Sequence, residues 1–295
     1  MDYLYICNTG SDSVSKVCLK DLKETKINIK RQSELVGPHG ICPWKSYVIV
    51  ANNYNDTISI LDITEDKEVA NYYIGSHCND LKVFKEYAYV LCGESNTLVI
   101  FDLISRKVIR ELPCGNMPHS IDICKNSGIA AVANMEGHEI SIIDCNKNEV
   151  IKTINLFESY PTKVIFSEDG ENIIVCESNM GIDRNGRINI LAINQGKSVA
   201  TVETGRCPVD MSVDFKKNLG FVSNFSEGTI SILDLKHMEE IKRVYLGGTP
   251  RGILQHKKFL YVGDNYNNVL IKYDIYKGNK NAITIDKEPN GMALV

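Results

Sequence analysis

Tyr47-Val-Ile-Val-Ala-Asn-Asn53, followed closely by Thr57-Ile-Ser-Ile-Leu-Asp62, is the stretch on which the reading of this chain turns. It returns as Leu91-Cys92-Gly93 before Thr97-Leu-Val-Ile-Phe-Asp102, and as Val132-Ala-Asn134 before Glu139-Ile-Ser-Ile-Ile-Asp144. Further copies are Val222-Ser-Asn224 before Thr229-Ile-Ser-Ile-Leu-Asp234 and Val262-Gly-Asp264 before Val269-Leu-Ile-Lys-Tyr-Asp274. A degenerate copy runs from Val175-Cys-Glu177 to Arg187-Ile-Asn-Ile-Leu-Ala192, and the chain opens inside another, Ile6-Cys-Asn8 before Ser13-Val-Ser-Lys-Val17. Val50, Val90, Val132, Val175, Val222 and Val262 lie 40, 42, 43, 47 and 40 residues apart, the length of one four-stranded propeller blade rather than of a helix pair.

Within each copy the apolar residues alternate or run in blocks of four to six, punctuated by Gly, Asn, Asp and Pro, and no stretch of twelve or more residues carries a helical period. Seven copies in 295 residues come to about 42 each and leave little over. The expectation is an all-β chain forming a single domain, 1–295: a seven-bladed β-propeller of four-stranded antiparallel blades. The first copy lacks the Pro-x-Gly strand that introduces the others, and Pro289-Asn-Gly-Met-Ala-Leu-Val295 supplies one at the far end. Residues 289–295 are therefore expected to pair with residues 3–8, closing the ring and removing two exposed sheet edges.

The Val-Ala-Asn strand at 50–52 and the Thr-Ile-Ser-Ile-Leu-Asp strand after it resemble the YVTN-type β-propeller repeat, across essentially the whole chain. The fifth copy departs through its longer loop, Ser178 to Gly186. The resemblance implies seven blades used as a binding platform and carries no catalytic motif with it; fold likeness alone does not assign a reaction.

The 33 Lys and Arg residues against 37 Asp and Glu, net −4, are scattered rather than gathered into a stripe, which argues against nucleic acid as a partner. No run of about 18 apolar residues occurs and Met1-Asp2-Tyr3 is not a signal start, so neither a membrane nor export is expected. Ten cysteines without a Cys-x-x-Cys pair read as buried thiols of a reducing cytoplasm, with Cys7, Cys92 and Cys176 in the slot held by Ala51, Ala133, Ser223 and Gly263.

The repeat also locates a candidate site. In a four-stranded blade, the loop entering the first strand and the loop joining the second to the third face the same mouth of the channel. The entering loops carry Pro almost throughout, but the residue after it changes from copy to copy: His39, Asn79, His119, Thr162, Val209, Arg251 and Asn290. That divergence suits an asymmetric ligand site, although polar residues are also what any solvated loop prefers. The expected ligand-binding set is His39, Asn79, Asp80, His119, Lys163, Glu177, Asp210, Arg251, Asp264 and Asn290, and the expected partner is a protein or a small anionic ligand.

Catalysis enters as the alternative, with His39, His119 and Arg251 as candidates: a histidine as general base and Arg251 as an anion clamp, in a lyase- or hydrolase-type reaction. No Gly-x-Ser-x-Gly elbow, His-Glu-x-x-His or phosphate-cradling glycine loop is present. A further alternative is an accessory subunit of a redox or metal enzyme. No cofactor is expected, and no metal: His39, His77, Cys78, Cys114, His119 and Cys207 are suitable donors by type, but His39 and His119 stand two blades apart while coordination needs donors within about 2.0–2.3 Å of one ion. The Ser178–Gly186 loop is expected on the ring face, either as a lid or partner contact or as a tolerated insertion.

Overall fold

The computed structural model describes residues 2–30, 35–157, 159–179 and 183–295. The copies form seven four-stranded antiparallel sheets arranged as blades around a channel, with one short 3-10 turn inside blade one and one inside blade six and no α-helix among the described residues. The innermost strands are Pro38–Trp44, Cys78–Phe84, Pro118–Cys124, Tyr160–Phe166, Pro208–Asp214, Pro250–His256 and Pro289–Leu294, in blades two to seven and blade one respectively. The last of these closes the ring as expected: Leu4 faces Leu294, Tyr5 faces Ala293 and Ile6 faces Met292. Tyr3 and Val295 exchange both backbone hydrogen bonds at 2.9 Å.

Each blade buries both faces against its neighbours, which is why the second and third strands read as unbroken apolar runs rather than as strict alternation. Ile49, Ile58 and Ile60 of blade two pack with Leu81, Val90 and Val99 of blade three, and Tyr5, Cys7 and Val14 of blade one pack with Ile41, Val48 and Val50 of blade two. The outermost strands are mostly exposed, as in Lys107–Pro113, and form the rim.

The recurring Asn and the Thr-x-Ser that follows it are one device. Asn52 Nδ2 donates to Thr57 Oγ1 at 2.9 Å and to Ser59 Oγ at 2.8 Å, and Ser59 passes its own hydrogen to Glu68 at 2.8 Å. Asn8 does the same with Ser13 and Ser15, and Asn224 with Thr229 and Ser231. The buried amide nitrogen is thereby satisfied inside an apolar blade, while the Oδ1 atoms of Asn8 and Asn52 have no hydrogen-bond partner among the described residues.

Blade three departs from this and corrects one expectation. Its register pairs Leu91 with Leu98 and Cys92 with Thr97, so Cys92 takes the slot of Asn52 and Leu91 that of Ala51. Cys7 and Cys176 do hold the Ala51 slot. Val99 stands where Ser59 does, so the amide and its hydroxyl partner are replaced together, which leaves no buried donor stranded.

Removing residues 289–295 should lower the melting temperature sharply, because blade one then loses its innermost strand and the ring its seam; unchanged melting would contradict the closure. Asn52→Ala should cost about 1–3 kcal/mol in chemical denaturation by removing the two buried hydrogen bonds it donates to Thr57 and Ser59.

Candidate functional site

The innermost strands do not run smoothly at the mouth. Register shifts occur between Pro38 and Gly40, Cys78 and Leu81, Pro118 and Ser120, Pro161 and Lys163, Pro208 and Asp210, and Pro250 and Ile253, with a matching shift opposite Ile6 and Asn8. A bulge at the residue after Pro turns that side chain toward the axis. The lip above is held by residues with left-handed backbone, His77, Met117, Cys207 and Glu288. Turn carboxylates and amides of the preceding blade fix three of them: Asp56 accepts from His77 N–H and Asn96 from Met117 N–H, both at 2.8 Å, and Asn268 from Glu288 N–H at 3.0 Å.

Most ring side chains clasp the next blade. His39 Nδ1 meets the Asn79 carbonyl at 2.7 Å, Asn79 Nδ2 donates to the Pro118 carbonyl at 3.0 Å, and His119 Nδ1 meets the Thr162 carbonyl at 2.9 Å. Thr162 Oγ1 donates to the Pro208 carbonyl at 3.0 Å, and Arg251 Nε to Asn290 Oδ1 at 3.0 Å. One step deeper, Asp80 accepts from Leu81 N–H at 2.8 Å, and Asp210 from Ile253 N–H at 3.0 Å while pairing with Lys163 at 3.1 Å. On the other side of that layer the blades approach so closely that a Cβ on Gly291 would lie 2.2 Å from the His39 carbonyl oxygen.

These walls enclose a cavity of about 720 Å³, lined at the lip by Tyr54, Met117, Met135 and Phe225 and below by the polar ring. That volume suits a small organic ligand. His39 and His119 meet edge to face with ring centroids 6.0 Å apart, and Arg251 Nη2 lies 3.3 Å from His39 Nε2. Separation by two blades therefore does not keep the histidines apart, because the bulges converge on the axis. Since a carbonyl accepts, each histidine carries its proton on Nδ1, leaving Nε2 as a lone pair; His39 spends it on Arg251.

Burial and then the nearby Arg251 charge push both imidazoles down, His39 well below its ordinary value and His119 to about 4, so both are neutral at pH 7. Burial opposes the Lys163 charge, but Asp210 and Asp80 outweigh it and raise its pKa. Burial alone dominates at Arg251 and lowers its pKa. Of the cavity cations, Lys163 pairs with Asp210 and Lys82 stands 3.9 Å from Asp122, while Arg251 has no carboxylate within ion-pair distance among the described residues.

The structure thus brings His39, Asn79, Asp80, His119, Lys163, Asp210, Arg251 and Asn290 to one cavity. Glu177 and Asp264 lie outside it. Glu177 accepts from Asn189 at 2.6 Å and Arg187 at 2.7 Å within its blade, and Asp264 accepts the N–H groups of Thr249, Tyr266 and Asn267. In that second set the following residue faces the mouth instead, as Asn53, Met135, Phe225 and Asn265 do. Ser120, Lys82 and Asp122 also line the cavity, and continuing the inner strand three residues past Asn79 and His119, across the bulge, would have found the last two. The 178–186 loop falls partly outside the described residues, at 180–182.

The His and Cys residues of the entering loops form no three-donor group among the described residues. The group that does, Asp234, His237 and Glu239, is on a turn at the opposite end of blade six, where Asp234 accepts from Lys236 N–H at 2.8 Å and His237 N–H at 3.0 Å. No helix among the described residues is long and apolar enough to cross a membrane.

No protein-family model matches the chain, and no curated protein matches it. Among solved structures, a functionally unknown protein from Desulfotomaculum acetoxidans is 13% identical over 100% of this chain and 99% of its own, with a TM-score of 0.82. Hydrazine synthase from Kuenenia stuttgartiensis is 18% identical over 84% of this chain and 80% of its own, with a TM-score of 0.73. At these identities the likeness is one of fold.

The depressed His119 pKa has a definite sign. The unfolded chain takes up this proton near the ordinary value of 6.5 and the folded chain only near 4, so stability is full above 6.5 and falls as the pH drops through that window. His119→Asn, which keeps a side-chain donor toward the next blade as Asn79 does, should flatten the fall in melting temperature between pH 6.5 and 4 relative to the parent. Parallel curves would show that His119 does not contribute.

Proposed function

We propose that this chain is a binding platform whose channel mouth takes a small anionic ligand, with Arg251 as the anion contact. The observation that carries the reading is the half-buried guanidinium without a carboxylate within ion-pair distance among the described residues, facing a cavity of about 720 Å³. A desolvated cation of this kind is costly unless an anion completes it, and its fork suits a carboxylate or phosphate. Neutral His39 and amide-bearing Asn290 hold the guanidinium in place. The enzyme alternative loses support, because a histidine with a pKa of about 4 is a weak base at neutral pH.

A protein partner at the same mouth is the second reading. It is favoured by Tyr54, Tyr73, Phe157, Tyr245 and Tyr266, which are 47%, 70%, 87%, 74% and 77% exposed and all on the mouth face. Exposed aromatics are enriched where proteins meet. The repeat phrase supports a YVTN-type assignment, and ten cysteines without a disulfide support a reducing compartment such as the cytoplasm.

Calorimetric titration with acetate, succinate, citrate and inorganic phosphate should find at least one anion that binds the parent chain. Arg251→Met should lose that binding by about a hundredfold, the range for a charge-assisted contact. Equal binding by the variant would remove Arg251 from the site, and a clean absence of binding by all four would favour the protein partner.

A further inference from the structure

The anion contact leaves a second polar group in the cavity unexplained. His119 is held by its Nδ1–H to the Thr162 carbonyl at 2.9 Å, so its Nε2 lone pair has no donor among the described residues. The next residue, Ser120, lines the cavity but is 2% exposed with its Oγ closed off, so the open acceptor is His119 Nε2. His39 stands between these groups and the guanidinium, 3.3 Å from Arg251 and 6.0 Å, centroid to centroid, from the His119 ring. An anion seated on Arg251 thus lies within a small molecule's length of an acceptor that needs a donor.

We propose that the ligand is a hydroxycarboxylate, whose carboxylate sits on Arg251 and whose neighbouring hydroxyl donates to His119 Nε2. This rests on the anion-binding reading above. The tautomer is dictated by the Thr162 carbonyl, and the depressed pKa keeps Nε2 unprotonated at neutral pH, so the imidazole offers an acceptor and repels no cation of its own. A hydroxyl fits better than an ammonium group for two reasons. Arg251 already raises the positive potential at His119, as its part in lowering the His119 pKa requires. The carboxylates below are also occupied: Asp210 by Lys163 and the Ile253 N–H, and Asp80 by the Leu81 and Ile121 N–H groups. A buried acceptor left without its donor penalises any ligand that lacks one, so discrimination arises from the missing hydroxyl and not only from the one present.

The test compares succinate, malate and aspartate at pH 7.5, three dicarboxylates of similar size that carry hydrogen, hydroxyl or ammonium at one carbon. Isothermal titration should show malate binding the parent chain about tenfold more tightly than succinate, with aspartate no better than succinate. His119→Asn keeps a side-chain donor toward blade five, as Asn79 donates to the Pro118 carbonyl of blade four, but removes the Nε2 acceptor. It should bring malate down to the succinate level and leave succinate unchanged, while Arg251→Met weakens all three. Equal affinity of succinate and malate for the parent would overturn the hydroxyl assignment while leaving the anion site intact. Tighter binding of aspartate would replace a hydroxy acid by an amino acid. No binding of any of the three would overturn this inference together with dicarboxylate recognition, and loss of succinate binding in His119→Asn would make His119 a positioning residue for the anion itself.

Discussion

The paired hydrogen bonds between Tyr3 and Val295, continued along residues 289–294, are the constraint on which everything else depends. No blade has an apolar face to spare for solvent, because the second and third strands of each are buried on both sides. The core is a succession of layers between neighbours, and it is continuous only if the last blade meets the first. Antiparallel pairing of the two chain ends removes the one pair of edges that would otherwise interrupt it. The channel exists because that seam holds the seven innermost strands at a common axis.

Convergence at the axis then creates a problem that the ring side chains solve. Bulged backbone at the mouth leaves carbonyls pointing between blades, and His39, Asn79, His119 and Thr162 each donate to the next one round. The variety of these residues thus has a structural cause as well as a functional one. Different gaps between blades are closed by side chains of different reach. What the clasps do not consume is the chemistry left facing the cavity: most of the Arg251 guanidinium and the Nε2 of His119.

Charge is layered in the same way. Arg251 and two neutral histidines occupy the upper ring, while Asp80, Lys163 and Asp210 below form a largely internal network with backbone N–H groups. Burial weakens each ion separately, and the surrounding network decides which is compensated. Lys163 is compensated by carboxylates and its pKa rises; Arg251 is not, and its pKa falls. That contrast between two cations of one cavity is what singles out Arg251 as the proposed anion contact.

The 40- to 47-residue period, the β character, the closing strand and the mouth were legible in the sequence because they follow from local pattern: alternation, turn residues and spacing. The coupling of Asn52 to Thr57 and Ser59 was visible as a repeated phrase, though not its purpose, and an alignment by residue type misplaced Cys92 by one position where that phrase decays. Tertiary structure alone decided that His39 touches His119 from two blades away, that Asn79 is spent as a clasp while Arg251 stays uncompensated, and that Glu177 and Asp264 turn into their blades. The clasps and the histidine contact depend on partners about 40 to 80 residues distant, brought together by bulges and ring closure, and neither a side chain's orientation nor its compensation by a distant charge is written in local sequence.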